Sequence, residues 1–110
     1  MIESRSSSKL VIVLTTEANL TIANCLAKAL LSRKLAVCVS SREVSSTFWW
    51  QDRLEQNNEV ELLIKTTSDK LQSLIKSIKN LHSYQTPELL YWNVSSSSAY
   101  GEWAKEVVSS

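Results

Sequence analysis

Residues Thr47 to Thr67 read TFWWQDRLEQNNEVELLIKTT. The first part is aromatic and the last alternates, with Val60, Leu62 and Ile64 on one face and Glu59, Glu61 and Lys65 on the other. That period of two is the mark of strands with one buried face. Between the arms, Gln51-Asp52-Arg53 is short and polar, and an Asp there can enter the left-handed backbone region that tight hairpin turns require. The stretch is therefore expected to be a long antiparallel hairpin. A domain of this size cannot cover such a hairpin completely, so a partner subunit is the expected shelter for its aromatic arm.

Upstream, Leu10 to Leu14 (LVIVL) is a continuous apolar run suited to a central strand buried on both faces. Asn19 offers a helix N-cap, followed at helical spacing by Ile22, Leu26, Ala29 and Leu30 and ending near Arg33-Lys34. Leu35 to Val39 begins a second strand, and the polar Ser40 to Ser46 is expected to interrupt it as a bulge or bend before Thr47 to Trp50. Downstream, Thr67 or Ser68 can cap a second helix whose stripe is Leu71, Leu74, Ile75, Ile78 and Leu81. Pro87 breaks the pattern over His82 to Pro87, Leu89 to Val94 is a final strand, and the last serine of Ser95 to Ser98 can cap a closing helix, Ala99 to about Val108.

The order βαββαβ plus a closing helix defines an α+β, ferredoxin-like split βαβ fold with a long hairpin between its second and third strands. At 110 residues there is room for one core, so residues 1–8 are expected to be a flexible Ser-rich tail and residues 9–110 a single domain. The only glycine is Gly101, which sets aside glycine-rich phosphate loops and any organic nucleotide cofactor held by one. A net charge of +1 makes no electrostatic case for nucleic acid or an anionic membrane. MIESRSSSKL has no apolar core of a leader, and the expected compartment is the cytoplasm. There Cys25 and Cys38, which lack CxxC spacing, are expected to be free, small and buried.

FWWQDRLEQNNEVELLIKTT followed by HSYQTPELLYW resembles the CutA divalent-cation-tolerance family, and LAVCV is similar to that family's entry to its second strand. The resemblance runs from Leu10 to Trp103. It implies a cytosolic homotrimer, non-catalytic, linked to tolerance of copper and other divalent ions, with an architecture like that of PII signalling trimers. Family members that bind metal resemble one another in a Cys ending the first strand and a His just after the second helix. Here Thr15 and Leu81 take those positions, Glu88 carries over, and His82 is offset by one.

His82 and Glu88 are thus the candidate ligands for Cu(II) or another divalent cation, since imidazole and carboxylate both suit such ions. Against this, His82 can be a surface loop histidine and Glu88 can simply satisfy a backbone group or Lys65. Trp50, Lys65, Tyr84, Gln85 and Glu88 form a second constellation, which the resemblance places at the cleft between subunits. An aromatic wall, a cation and a carboxylate there could hold a small polar ligand, the alternative reading of a PII-like metabolite sensor. Packing between subunits is the favoured reading of Trp49, Trp92 and Trp103, while Trp50 stays open between the two. An acylphosphatase-type enzyme would need an anion-cradling loop with Arg after the first strand, and an RNA-binding module would need an aromatic RNP1-like strand. Neither is visible, and with no Ser or Cys partner for the lone histidine, no catalytic residue is assigned.

Overall fold

The computed structural model describes residues 8–109. The expected tail lies outside the described residues, apart from Ser8, which opens the first strand. In chain order the elements are β1 (Ser8–Glu17), α1 (Leu20–Ser32), β2 (Cys38–Trp50), β3 (Arg53–Thr66), a 3-10 turn (Ser68–Lys70), α2 (Leu71–Leu81), β4 (Leu90–Ser96) and α3 (Ser98–Ser109). All strand pairs are antiparallel and the sheet order is β2-β3-β1-β4, which makes the fold the expected α+β ferredoxin-like arrangement with an added helix.

The hairpin register pairs Trp50 with Arg53, leaving a two-residue turn in which Gln51 and Asp52 both have positive φ, 50° and 63°. Left-handed backbone at both positions is what a type I′ connection needs to match strand twist. From there the ladder runs unbroken to Cys38 opposite Lys65. The expected interruption at Ser40 to Ser46 is absent: those residues form β2 throughout. A polar, exposed edge strand needs only backbone pairing with its neighbour, which Leu63 to Asn57 supply.

One face of the sheet carries Val11, Val13, Leu62 and Ile64, which pack with Ala23, Leu26, Leu30, Leu74 and Ile78 of α1 and α2 into the main core. Asn19 caps α1 through Oδ1, which accepts from the Ile22 N–H at 2.9 Å. At its other end Lys34 takes φ 60°, with Lys34 N–H donating to Leu31 O and Leu35 N–H to Leu30 O, a Schellman closure without its usual glycine. On the other face, α3 covers Leu10, Val37 and Val94 at one end only. It is capped by Ser97, whose Oγ accepts from Tyr100 N–H at 3.3 Å, one residue before the serine expected to do so. Beyond α3, Leu90 and Trp92 are 51% and 44% exposed.

The cysteines are free, but Cys25 is exposed and Cys38 half-buried, not buried as expected. Cys25 stands on the opposite side of α1 from the buried stripe Ala23, Leu26 and Leu30.

Candidate functional site

The core-facing side of β1 continues past Val11 and Val13 to Thr15 and Glu17, both fully buried. Antiparallel pairing sets Thr15 opposite Leu62 and Glu17 opposite Val60, where apolar neighbours offer a carboxylate nothing. Relief comes from the end of α2, 66 residues on. Glu17 Oε1 accepts from Ser83 Oγ and from Ala18 N–H, and Oε2 accepts from Ser83 N–H at 3.0 Å. No buried side-chain polar atom among the described residues is left without a partner.

His82 ends α2 and turns its ring inward, so its side chain has no exposed surface. Nε2 lies 2.6 Å from the Thr16 carbonyl oxygen, which can only accept, and 3.2 Å from Thr15 Oγ1. Nδ1 accepts from Tyr84 N–H at 3.0 Å. These partners fix the Nε2–H tautomer. Nδ1 is also 3.4 Å from Glu17 Oε2, but a nitrogen already accepting a hydrogen bond is not donating across that gap, so the hydrogen-bonded arrangement describes the contact better than an ion pair does. His82 is therefore an interior clamp on the 82–84 turn and not the surface loop histidine considered from sequence. Neither ring nitrogen has a lone pair to offer a metal without breaking that turn.

Tyr84 stands beside it, ring centroids 4.9 Å apart, and donates its phenol hydrogen to Glu59 Oε2 at 2.7 Å. Burial, that hydrogen bond and the charges of Glu59 and Glu17 all push the phenol's pKa up, so it remains a donor throughout the physiological range. Glu59 also lines a groove of about 480 Å³ between the β1–α1 junction and the hairpin, with Asn19, Glu43, Ser45, Asn58 and Val60. Glu88 sits on the approach to β4. Burial first, then the charges of Glu59 and Glu61, hold its carboxyl above the usual range. Glu61 is in turn paired with Arg42 at 2.9 Å, its direct cross-strand neighbour.

The expected constellations are thus only partly gathered. Tyr84, Glu59 and Glu88 form one electrostatic neighbourhood, while no hydrogen bond or ion pair joins His82 to Glu88 among the described residues. Nor does any group of three or more His, Cys, Asp and Glu among those residues stand in position to hold a metal ion. Trp50, 57% exposed, is at the hairpin tip opposite Arg53, whereas Lys65 is opposite Cys38 and Ile12. Those points on β3 are roughly 40 Å apart at ~3.3 Å per residue. Within one protomer Trp50 and Lys65 cannot share a ligand. Glu17 and Glu59 were missed from sequence. Glu17 had a signal, since it falls in phase with Val11, Val13 and Thr15 on the buried side of β1.

The family description "CutA1 divalent ion tolerance protein" matches residues 11–107. The divalent-cation tolerance protein CutA of Escherichia coli O139:H28 (strain E24377A / ETEC) is 39% identical over 89 residues, 80% of each chain. Among solved structures, CutA from Synechococcus elongatus PCC7942 superposes with a TM-score of 0.88 at 32% identity, covering 91% of this chain and 90% of its own. CutA1 from Oryza sativa does so with a TM-score of 0.86 at 29% identity, covering 93% and 95%. By the match along nearly its whole length and by the fold, this chain belongs to the CutA1 divalent ion tolerance protein family.

Proposed function

We propose that the protein is a non-catalytic, homotrimeric divalent-cation tolerance protein of the cytoplasm that contacts ions weakly, through carboxylates at a cleft between subunits. One observation carries this reading: Glu88, on the approach to β4, feels the negative charges of Glu59 and Glu61 of β3. Like charges at close range favour a cation, and an incomplete ligand set invites completion by a neighbour. The trimer is supported by two open edges, β2 and β4, by the exposure of Trp49, Trp50, Leu90, Tyr91 and Trp92 along them, and by that of Leu54 opposite Trp49 on β3. Two unpaired thiols suit a reducing compartment.

The ligands in this reading differ from the pair His82 and Glu88. With the imidazole committed to Thr16 and Tyr84, His82 offers a soft or borderline ion no free nitrogen donor. Light scattering and titration calorimetry with Cu(II), Zn(II) and adenine nucleotides test the proposal together. The expected results are a trimer and ion affinity on the order of micromolar or weaker, lost in Glu88→Gln and kept in a folded His82→Gln variant. Tight binding that survives Glu88→Gln would refute the carboxylate cleft. Nucleotide binding with no ion binding would favour the metabolite sensor.

A further inference from the structure

The whole-chain balance of +1 conceals a segregation of charge between layers. Residues 18–35 and 67–81, which hold α1, α2 and the turns at their ends, carry six cations: Lys28, Arg33, Lys34, Lys70, Lys76 and Lys79. They carry one carboxylate, Asp69, which is occupied by the Thr67 hydroxyl at 2.6 Å. The helical layer is therefore +5 while the remainder of the chain is −4. Among the described residues, every Lys or Arg ion pair lies on the hairpin, Arg42 with Glu61 and Arg53 with Glu55. None of the six layer cations has an acidic partner among those residues.

Their placement follows from helix phase. Lys28 stands about half a turn round from the buried stripe of α1, and Lys76 about as far from that of α2, so both point away from the sheet. The two helices run antiparallel because the strands they follow, β1 and β3, do. Leu35 O accepts from Thr66 Oγ1 at 2.7 Å, which brings the end of α1, with Arg33 and Lys34, to the start of α2, with Lys70. Five of the six cations are exposed and Lys70 is half-buried. Leu20, Leu31 and Leu81, between 37% and 45% exposed, interrupt the basic layer with apolar side chains.

We propose that the outer face of the α1/α2 layer is a peripheral docking surface for an anionic phospholipid bilayer. Charge complementarity selects an anionic partner. The choice of a bilayer over nucleic acid rests on which residues the layer holds. All eight Phe, Trp and Tyr residues lie elsewhere, in the hairpin, β4, α3 and the 82–89 loop, so the layer offers no base-stacking platform. Five of its cations are lysines, point charges suited to a diffuse anionic plane more than to bidentate recognition of base edges. The exposed leucines can enter the headgroup boundary that the lysines approach. No described helix is long and apolar enough to cross a membrane, so this contact is with the surface alone.

Co-sedimentation of the full chain with vesicles tests the proposal, comparing phosphatidylcholine alone with the same lipid containing about 30 mol% phosphatidylserine, at ~50 mM and ~500 mM salt. Binding is expected only with phosphatidylserine, and to be largely lost at the higher salt. The exposed triple substitution Lys28→Glu, Lys76→Glu, Lys79→Glu is expected to weaken partitioning at least about tenfold. A matched variant, Lys9→Glu, Arg53→Glu, Lys105→Glu, makes the same change in net charge outside the layer and is expected to stay within about twofold of the parent. Circular dichroism verifies that both variants fold. Equal loss in both would overturn the proposal, as would binding to neutral vesicles. Tighter binding to a short DNA duplex than to the anionic vesicles at the same salt would replace the bilayer with nucleic acid.

Discussion

The two ends of the β2–β3 hairpin are built from one continuous ladder and obey opposite rules. Near Cys38 and Lys65 the hairpin is flanked by β1 and roofed by α1 and α2, and its inward residues Leu62 and Ile64 are fully buried. Where β1 stops, Glu17 is opposite Val60, and from there Val44 to Trp50 pairs with Arg53 to Glu59 with no third strand. At that end Trp49 is 71% exposed and Leu54 63%. The closed end tolerates a fully buried glutamate because every donor and acceptor around it is matched within the protomer. The open end leaves large apolar side chains in water, which a two-stranded ribbon cannot remedy alone. At these two ends polarity alone does not sort inside from outside. Completeness of partners does.

The strongest way to break that contrast is to remove a partner from the closed end. Glu17→Ala deprives Ser83 N–H, Ser83 Oγ and Ala18 N–H of their acceptor in a part-buried network and removes a fully buried side chain. Urea unfolding is expected to show a loss of about 1–3 kcal/mol, the range for leaving hydrogen-bonding groups unsatisfied. Glu17→Gln, which keeps one oxygen, should lose less. A loss below about 0.5 kcal/mol would mean that the network follows the fold and does not hold it.

At the open end the turn can be improved. Gln51 and Asp52 occupy left-handed backbone without being glycine, at a cost of roughly 1 kcal/mol per residue. Gln51→Asn with Asp52→Gly supplies the residues that a type I′ turn favours and is expected to stabilise the protein by about 1 kcal/mol. Destabilisation in the same urea experiment would show that these side chains have contacts worth more than the strain.

Smaller still is the expected response to Trp49→Ser with Trp50→Ser. Both side chains are more than half exposed, so the unfolding free energy of the dilute protomer should move by less than about 0.5 kcal/mol. The proposed trimer, by contrast, should dissociate in light scattering. A large loss of protomer stability with assembly intact would reverse the roles given to the two ends.

Much of this was legible in the sequence because it rests on local rules. The Asn19 cap, the stripes of α1 and α2, and the alternation of Val60, Leu62 and Ile64 each follow from a short window. Ser40 to Ser46 was misread for a physical reason: an exposed edge strand takes its regularity from the partner ladder, so its own side chains carry no periodic signal. The site was harder. His82 looked solvent-facing because its acceptor, Thr16 O, is a backbone atom 66 residues away, and no side-chain pattern encodes a carbonyl. Glu17 was within reach of pattern reasoning, but Ser83, which satisfies it, is identifiable only once α2 is laid against β1.

The smallest expected effect concerns Glu88, where the closed and open ends meet. Its folded-state pKa is raised, first by burial and then by Glu59 and Glu61. A carboxyl in that position keeps its proton to higher pH when folded than when unfolded. Between the unfolded value, about 4.3, and the higher folded value, the folded state binds more protons, so stability declines as pH rises through that window. Above it the penalty is fully present; below the unfolded value it vanishes. Glu88→Gln should therefore raise the midpoint of thermal unfolding at pH 7 and leave it nearly unchanged at pH 4. The residue is exposed, so solvent screening keeps the shift small and added salt should shrink it further. If the proposed ion contact is correct, millimolar divalent cation should reproduce the effect in the parent at pH 7 and have no such influence on the glutamine variant. Equal shifts at pH 4 and pH 7 would show that Glu88 acts through packing and not through charge. Glu59 and Tyr84, joined by a hydrogen bond of 2.7 Å, would then remain as the carboxylate and donor of the proposed cleft.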